Sequence, residues 1–422
     1  MSIVSALYAG VTGMFAMSKS MQVTGNNIAN INTVGFKGSR ASFADLLSAS
    51  INTPSGKQQV GRGVRTVAIE NLFHQGSFES TPVVTDVALN GDGYFVLTTE
   101  FETFYTRAGE FRIDKDGNLV NALGMFVNGY EFQPNGELDG DMVPISLSSE
   151  TSPPNATGDG TEEGTGMFLN INLNSEAPIR AFDPDDPGGS SNFATAVTLY
   201  DSLGAPHTAT LYFNKTADNE WEWRAMVDGG EITGGTEGTL VEGATGTLSF
   251  DANGNLTNQT VDASDFDFVN GAEQNQVVGW DFTGSTQVDS ESVTNSITQD
   301  GFPPGSLQAI DIDREGVITG IFSNGLARPL YQFAVASFAA ETELFREGNS
   351  LFIETAKAGQ PVYSTPNAGT NGTIAASTLE LSNVDLTEEF VDMITTQRAF
   401  QANSKTIMTS DQMLETVINM KR

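Results

Sequence analysis

The residues able to do chemistry are few and scattered. The 422-residue chain has no Cys and only two His, His74 and His207, so thiol catalysis, disulfides and multi-His metal sites have no basis. Asp311, Asp313, Glu315 and Gly316 imitate the start of a calcium loop, but the twelfth position is Phe322, where a bidentate Glu is required. A similar start at Asp114, Asp116 and Gly117 fails at Met125. Glu162, Glu163 and the group Asp183, Asp185 and Asp186 read as solvated loop carboxylates. No G-x-S-x-G elbow occurs. No Gly-rich segment leads into a helix with Lys-Ser or Lys-Thr, so no phosphate loop is expected. The expectation is therefore a non-enzyme without metal or cofactor.

Composition narrows the partners. Asp and Glu number 53 against 20 Lys and Arg, a formal charge of −33. Such a surface repels nucleic acid and anionic lipid. It also opposes self-association at low salt. With 39% hydrophobic residues and 27 Phe the chain can build cores, and 44 Gly point to turn-rich β structure. No apolar run reaches the length of a membrane span. The N-terminal stretch has no basic region ahead of its apolar residues, so no cleaved Sec signal is expected, and if the protein leaves the cell it needs another export route.

Two terminal segments must organise the rest. From Asp385 onward Leu386, Met393, Phe400, Ile407 and Leu414 stand seven apart, with Phe390, Gln397, Ser404, Asp411 and Ile418 expected at the alternate position of the seam. No Pro or Gly interrupts the run, which predicts one helix roughly 55 Å long. Residues 3–28 carry a matching series: Val4, Leu7, Val11, Met14, Ser18, Met21, Gly25 and Ile28. Gly10, Gly13 and Gly25 each weaken an isolated helix by about 1 kcal/mol. Lys19 is the single charge in this segment, so it should be stable only when buried on several sides. The expected arrangement is a stalk of both terminal helices, with surplus apolar surface for helices of other subunits.

Between them the chain reads as β-rich. Val64, Val67 and Ile69 among Arg62, Arg65 and Glu70 suggest half-buried strands. Asn90-Gly91, Asp116-Gly117, Asn128-Gly129 and Asn135-Gly136 are hairpin signals. A polar Gly/Pro/Ser/Thr stretch near residues 148–166 marks a boundary. Beyond it lies a second, acidic β unit with AVTLYDSLGAPHTATLYF and EWEW. The expected fold class is multidomain and mainly β, with long N- and C-terminal α-helices paired in a stalk and nested β-rich domains.

Two motifs carry a resemblance. GNNIAN with T-x-GFK (Asn26, Asn27, Ile28, Ala29, Asn30, Thr33, Gly35, Phe36 and Lys37) closely resembles the N-terminal signature of the rod and hook axial proteins of the bacterial flagellum. LELSNVDL and the helix after it (Ser382, Asn383, Val384, Asp385, Gln397 and Arg398) resemble the C-terminal signature of that family. ASFADLL, residues 41–47, and the long acidic insertion are similar to the hook branch.

The resemblance implies domains nested by sequence. Residues 1–30 with 385–422 would form an inner helical tube, and 31–76 with 366–384 a linking segment. Residues 77–148 with 298–365 would form a first β-domain, and 149–297 an outer acidic one. It also implies a subunit that polymerises with itself, lies outside the cell, and meets rod, hook-cap and hook–filament junction proteins after passage through the type III export apparatus. The hook it would build is a flexible curved tube, joining rod to filament and transmitting torque as a universal joint. A distal-rod protein, or a secreted adhesin with a helical stalk and β head, are the alternatives.

Overall fold

The computed structural model describes residues 3–46, 49–53, 56–99, 101–133, 136–147, 151–369 and 371–420. Asn135 and Leu47, named above, lie outside them. The described chain is mainly β with three helices: α1 (Ile3–Ala29), a single turn α2 (Pro187–Ser190) and α3 (Leu386–Met420). No helix among the described residues is long and apolar enough to cross a membrane. The chain divides into two compact units.

The first unit holds residues 1–149, 309–320 and 327–422. Helices α1 and α3 pack along each other. They run antiparallel, since Gly10 lies against Ile407 while Asn27 bonds Glu389. After α1 come β1 (Ser39–Asp45), β2 (Ala49–Thr53), β3 (Gly56–Val60) and β4 (Val64–Asn71). β1 pairs with β4 and β2 with β3, both antiparallel. β1 and β4 also pack on α1.

β4 is a half-buried strand, as its alternation suggests. Val67 and Ile69 are exposed, at 53% and 54%, while Thr66 and Ala68 turn inward. α1 approaches closely just before β4: a Cβ at Gly63 would stand 2.2 Å from Thr12 Oγ1.

The largest sheet of this unit is built around the strand Tyr94–Thr98, with neighbours Thr103–Thr106, Phe126–Phe132 and Val335–Ser337. Its core includes Tyr94, Val96, Tyr105, Ala334 and Phe352. Asp116-Gly117 turns the hairpin between Arg112–Ile113 and Leu119–Val120, with Gly117 at φ 80°. Asn90-Gly91 is a corner, because the strands on either side of it pair elsewhere. Asn128-Gly129 is no turn at all: both lie within the strand Phe126–Phe132. Gly129 is there for close backbone approach, since a Cβ would meet the Gln332 carbonyl oxygen at 2.5 Å.

The second unit holds residues 150–308 and 321–326. Five antiparallel strands, Phe193–Tyr200, Pro206–Ala217, Glu220–Asp228, Leu240–Phe250 and Leu256–Ser264, follow one another in sheet order. A second sheet centres on Met167–Asn174. Alternation in EWEWRAMVD buries Trp221 and Trp223 completely, and Trp223 packs on Trp280 and Phe282. His207 is built into this unit. Its ring stacks 3.6 Å from that of Phe268, with Asp201 Oδ2 at 3.0 Å and Glu231 Oε2 at 2.7 Å. Burial acts to raise the pKa of Asp201, but hydrogen bonds from Asn270, His207 and two backbone N–H groups outweigh it and hold the carboxyl below its ordinary value.

Candidate assembly interface

The chain ends meet at a junction assembled from both sequence signatures. Asn27, in the last turn of α1, is 2% exposed. Its amide nitrogen donates to the Ser39 carbonyl oxygen at 2.8 Å and to Glu389 Oε1 on α3 at 2.6 Å. Its amide oxygen accepts from the Ser39 N–H at 2.9 Å. One short side chain thus ties α1, β1 and α3. Burial pushes the Glu389 pKa up, and the bonds from Asn27 and Thr24 oppose that shift.

Asn30 closes the helix from outside, donating to the Asn26 carbonyl at 2.9 Å, while its own oxygen accepts from Thr33 Oγ1 at 3.1 Å. Gly35 then sits at φ 63°, and any Cβ would meet the Ala108 nitrogen at 2.5 Å. Phe36 is buried beneath the Arg346 guanidinium, 4.9 Å from the ring centre, and Arg346 also bonds the Lys37 carbonyl.

Lys37 lies at the centre. Its side chain is 1% exposed, and its ammonium stands 2.6 Å from Glu380 Oε1 and 3.0 Å from the His74 carbonyl oxygen. Glu380 is fully buried; it also accepts the Gly76 N–H at 2.9 Å and has Arg107 Nη1 at 3.6 Å. Burial draws the Lys37 pKa below its usual value against the attraction of Glu380. Asn383 seals the other side, accepting from Gly38 N–H at 2.8 Å and donating to the Leu72 and His74 carbonyls. Asp385 caps α3: its Oδ1 accepts the Thr387 N–H at 2.7 Å, and these backbone bonds lower its pKa. Ser382 is buried, Val384 and Ile28 are half-buried, and Asn26, Ala29, Gln397 and Arg398 are exposed. Glu380, Arg107 and Arg346 were not singled out in the sequence. The available signal was a Lys inside the otherwise uncharged GFK and a Glu between the two Leu of LEL.

On the α1 side the contact between the helices is made by small residues. Gly10, Gly13, Ala16, Thr24 and Asn27 are the buried positions of α1. A Cβ on Gly10 would stand 2.9 Å from Ile407, and one on Gly13 2.7 Å from Asn403. These glycines are therefore what lets the helices approach. On α3 the buried or half-buried positions are Glu389, Met393, Thr396, Ala399, Asn403, Ser404, Ile407, Ser410 and Leu414.

This corrects the expected phase of the seam. The position alternating with Met393 and Ile407 is three residues on (Thr396, Ser410), not four (Gln397, Asp411). Both offsets lie on one helix face, and the glycine contacts decide between them. Phe390, Gln397 and Asp411 consequently face outward and Ser404 is half-buried. Leu386, Phe400 and Ile418 are exposed by 41%, 37% and 67%. On α1, Leu7, Val11, Met14, Met21 and Ile28 are half-buried, and Val4 is 51% exposed. Tyr8 and Phe15, outside the expected series, are exposed by 66% and 70%.

Large apolar residues turned outward around a small-residue seam are surface prepared for other protein. Similarity to known proteins falls on the same segments. The model for flagella basal body rod proteins matches residues 7–37, and that for the flagellar basal body rod FlgEFG protein C-terminal region matches 375–420. The flagellar hook protein FlgE/F/G D1 domain model matches 88–161, and the flagellar basal body protein FlaE D2 domain model matches 169–302. The chain is 35% identical to the flagellar hook protein FlgE of Treponema pallidum, covering 99% of both chains. It is 34% identical to that of Borreliella burgdorferi, again over 99% of both. Against that of Escherichia coli it is 33% identical, over 99% of this chain and 100% of the relative.

Proposed function

The chain belongs to the flagellar hook protein FlgE family and is a structural subunit of the flagellar hook; we propose that it polymerises through its terminal helices into the flexible curved tube that joins rod to filament and transmits torque. The carrying observation is the inversion of packing at those helices. The chain joins its own ends through Gly10, Gly13, Ala16 and Thr24 and leaves Tyr8, Phe15, Phe390 and Ile418 outside. A helix pair of an ordinary globular domain would do the reverse.

In this reading residues 1–30 and 385–422 line the inner tube, and 31–76 with 366–384 link it to a first β-domain of residues 77–148 and 298–365. The acidic insertion, 149–297, lies outermost, where like charges are best solvated. The subunit acts outside the cell, after passage through the type III export apparatus and without a cleaved Sec signal. Rod, hook-cap and hook–filament junction proteins are its neighbours, and it carries out no reaction. Full-length likeness to hook proteins stands against the adhesin alternative. The test is complementation. In a motile bacterium lacking its own hook protein, this chain should restore curved hooks, and a chain lacking residues 386–420 should restore none. Straight rods or no assembly from the full chain would refute the reading.

A further inference from the structure

Helix α3 carries a second seam. Ala399, Thr406 and Met413 stand seven apart, and Ala402, Thr409 and Thr416 fill the alternate position, giving a continuous 3,4 spacing. No charge falls on it in a chain with 73 charged residues, 53 acidic and 20 basic. All six are exposed except Ala399, which is half-buried. The threonines are apolar in effect. Thr406, Thr409 and Thr416 return their hydroxyl hydrogens to the carbonyls of Ala402, Lys405 and Gln412 at 2.8–3.0 Å. With the hydroxyl bonded within the helix, the methyl group is what remains for a partner. Methyls, alanines and one adaptable Met form a shallow groove suited to a helix with larger residues.

α1 offers such residues. Leu7, Met14 and Met21, with Val4, Val11 and Ser18, form an uncharged stripe with the same 3,4 spacing. At about 100° per residue, the α3 stripe lies about 110° to one side of the seam facing α1. The α1 stripe lies about 110° to one side of the seam facing α3. Because the two helices are antiparallel, these offsets put the stripes on opposite sides of the pair. They cannot cover each other within one chain. A two-fold dimer would pair like with like and leave the other stripe bare. Head-to-tail contact between copies covers both, and a contact of this kind repeats from copy to copy.

We infer that the Ala399–Thr416 stripe of α3 is the docking groove for the Val4–Met21 stripe of α1 from a second copy of this chain, so that each subunit uses one side of its helix pair to receive a neighbour and the other to enter one. This rests on the reading that the chain polymerises, and it adds which faces meet. Copies stacked in the same direction bring α3 and the incoming α1 together antiparallel, as in the contact already present within the chain.

The Cys-free sequence gives a clean test. A single Thr409→Cys is labelled with a maleimide benzophenone and assembled as an equal mixture of light and heavy-isotope chains. After irradiation, cross-linked peptides are mapped by mass spectrometry. Links of mixed isotope from residue 409 to residues 4–21 are expected. Links from α3 to α3, or an assembled polymer with no mixed-isotope link to α1, overturn the inference. Gln401→Cys, on the exposed side of α3 away from the stripe, is the control. If the label at 409 stops assembly and the same label at 401 does not, the stripe is occupied in the polymer, as inferred. If both labels stop assembly, Thr409→Ala and Thr409→Glu replace them. Assembly by the first and its loss in the second is then the expected result, and assembly by both overturns the inference. Failure of the unlabelled chain to polymerise would instead refute the reading beneath it.

Discussion

Lys37 Nζ and Glu380 Oε1 are 2.6 Å apart and both side chains are buried, although 343 positions separate them in the sequence. The pair joins the segment that leaves α1 to the strand that leads into α3, and Arg107 adds a second cation from the β sheet. Removing one member leaves a buried charge without its counterion, which costs about 3–5 kcal/mol. Lys37→Met leaves Arg107, 3.6 Å from Glu380, as the remaining cation, so the first unit is expected to lose stability by up to that amount. Denaturant unfolding followed by hydrogen exchange should show the loss there, with amides around Trp221 and Trp223 keeping their protection.

Asn27→Ala removes three hydrogen bonds at once. An unsatisfied buried polar group costs about 1–3 kcal/mol. The expected outcome is early proteolytic release of the terminal helices while the β units stay intact. Cleavage at an unchanged rate would show that Asn27 does not hold the junction.

The glycines of α1 should separate cleanly by role. Gly10→Leu drives a side chain into Ile407, and overpacking of this kind costs about 1–3 kcal/mol. Gly25 has no neighbouring atom within 4 Å of a Cβ. Gly25→Ala should instead stabilise α1 by about 0.5–1 kcal/mol, the ordinary helix preference. Thermal melts of the two variants should move in opposite directions.

Glu389 gives the helix pair a pH dependence of unusual sign. Its folded pKa is raised above the ordinary 4.5, chiefly by burial. The folded state then binds more protons than the unfolded state between those two values. Stability contributed here is greatest below 4.5 and falls as pH rises through the folded pKa. Glu389→Gln keeps an acceptor for Asn27 and removes the titration. It should be the more stable form at pH 7, with the advantage shrinking as pH falls toward 4.5. An advantage that is constant with pH would contradict the assignment.

How much could be read from the sequence depended on whether side-chain size or side-chain type was decisive. The terminal helices were legible from heptad spacing, and the strands of the acidic unit from alternation such as EWEWRAMVD. The phase of the helix seam was not. Apolar periodicity points to the largest residues of α1, such as Leu7 and Met14, whereas α1 meets α3 through glycine, alanine and threonine. Asn128-Gly129 looked like a turn because a glycine that admits a turn and one that admits a neighbouring strand are identical in one dimension. The ion cluster at Lys37 depends on residues more than 300 positions apart, beyond any local pattern.

Net charge bears on assembly as well. At −33 the copies repel one another, and salt screens that repulsion over about 10 Å at 0.1 M. Polymerisation of the purified chain, followed by light scattering, should therefore rise between low and moderate salt. Insensitivity to salt would mean that the acidic units stay too far apart in the polymer to interact.

Cryo-electron microscopy of polymers grown from the purified full-length chain tests the central claim most directly. The account predicts helical tubes with α1 and α3 at the inner radius and the acidic unit at the outer. Discrete closed oligomers, or tubes in which the terminal helices lie outermost, would contradict it.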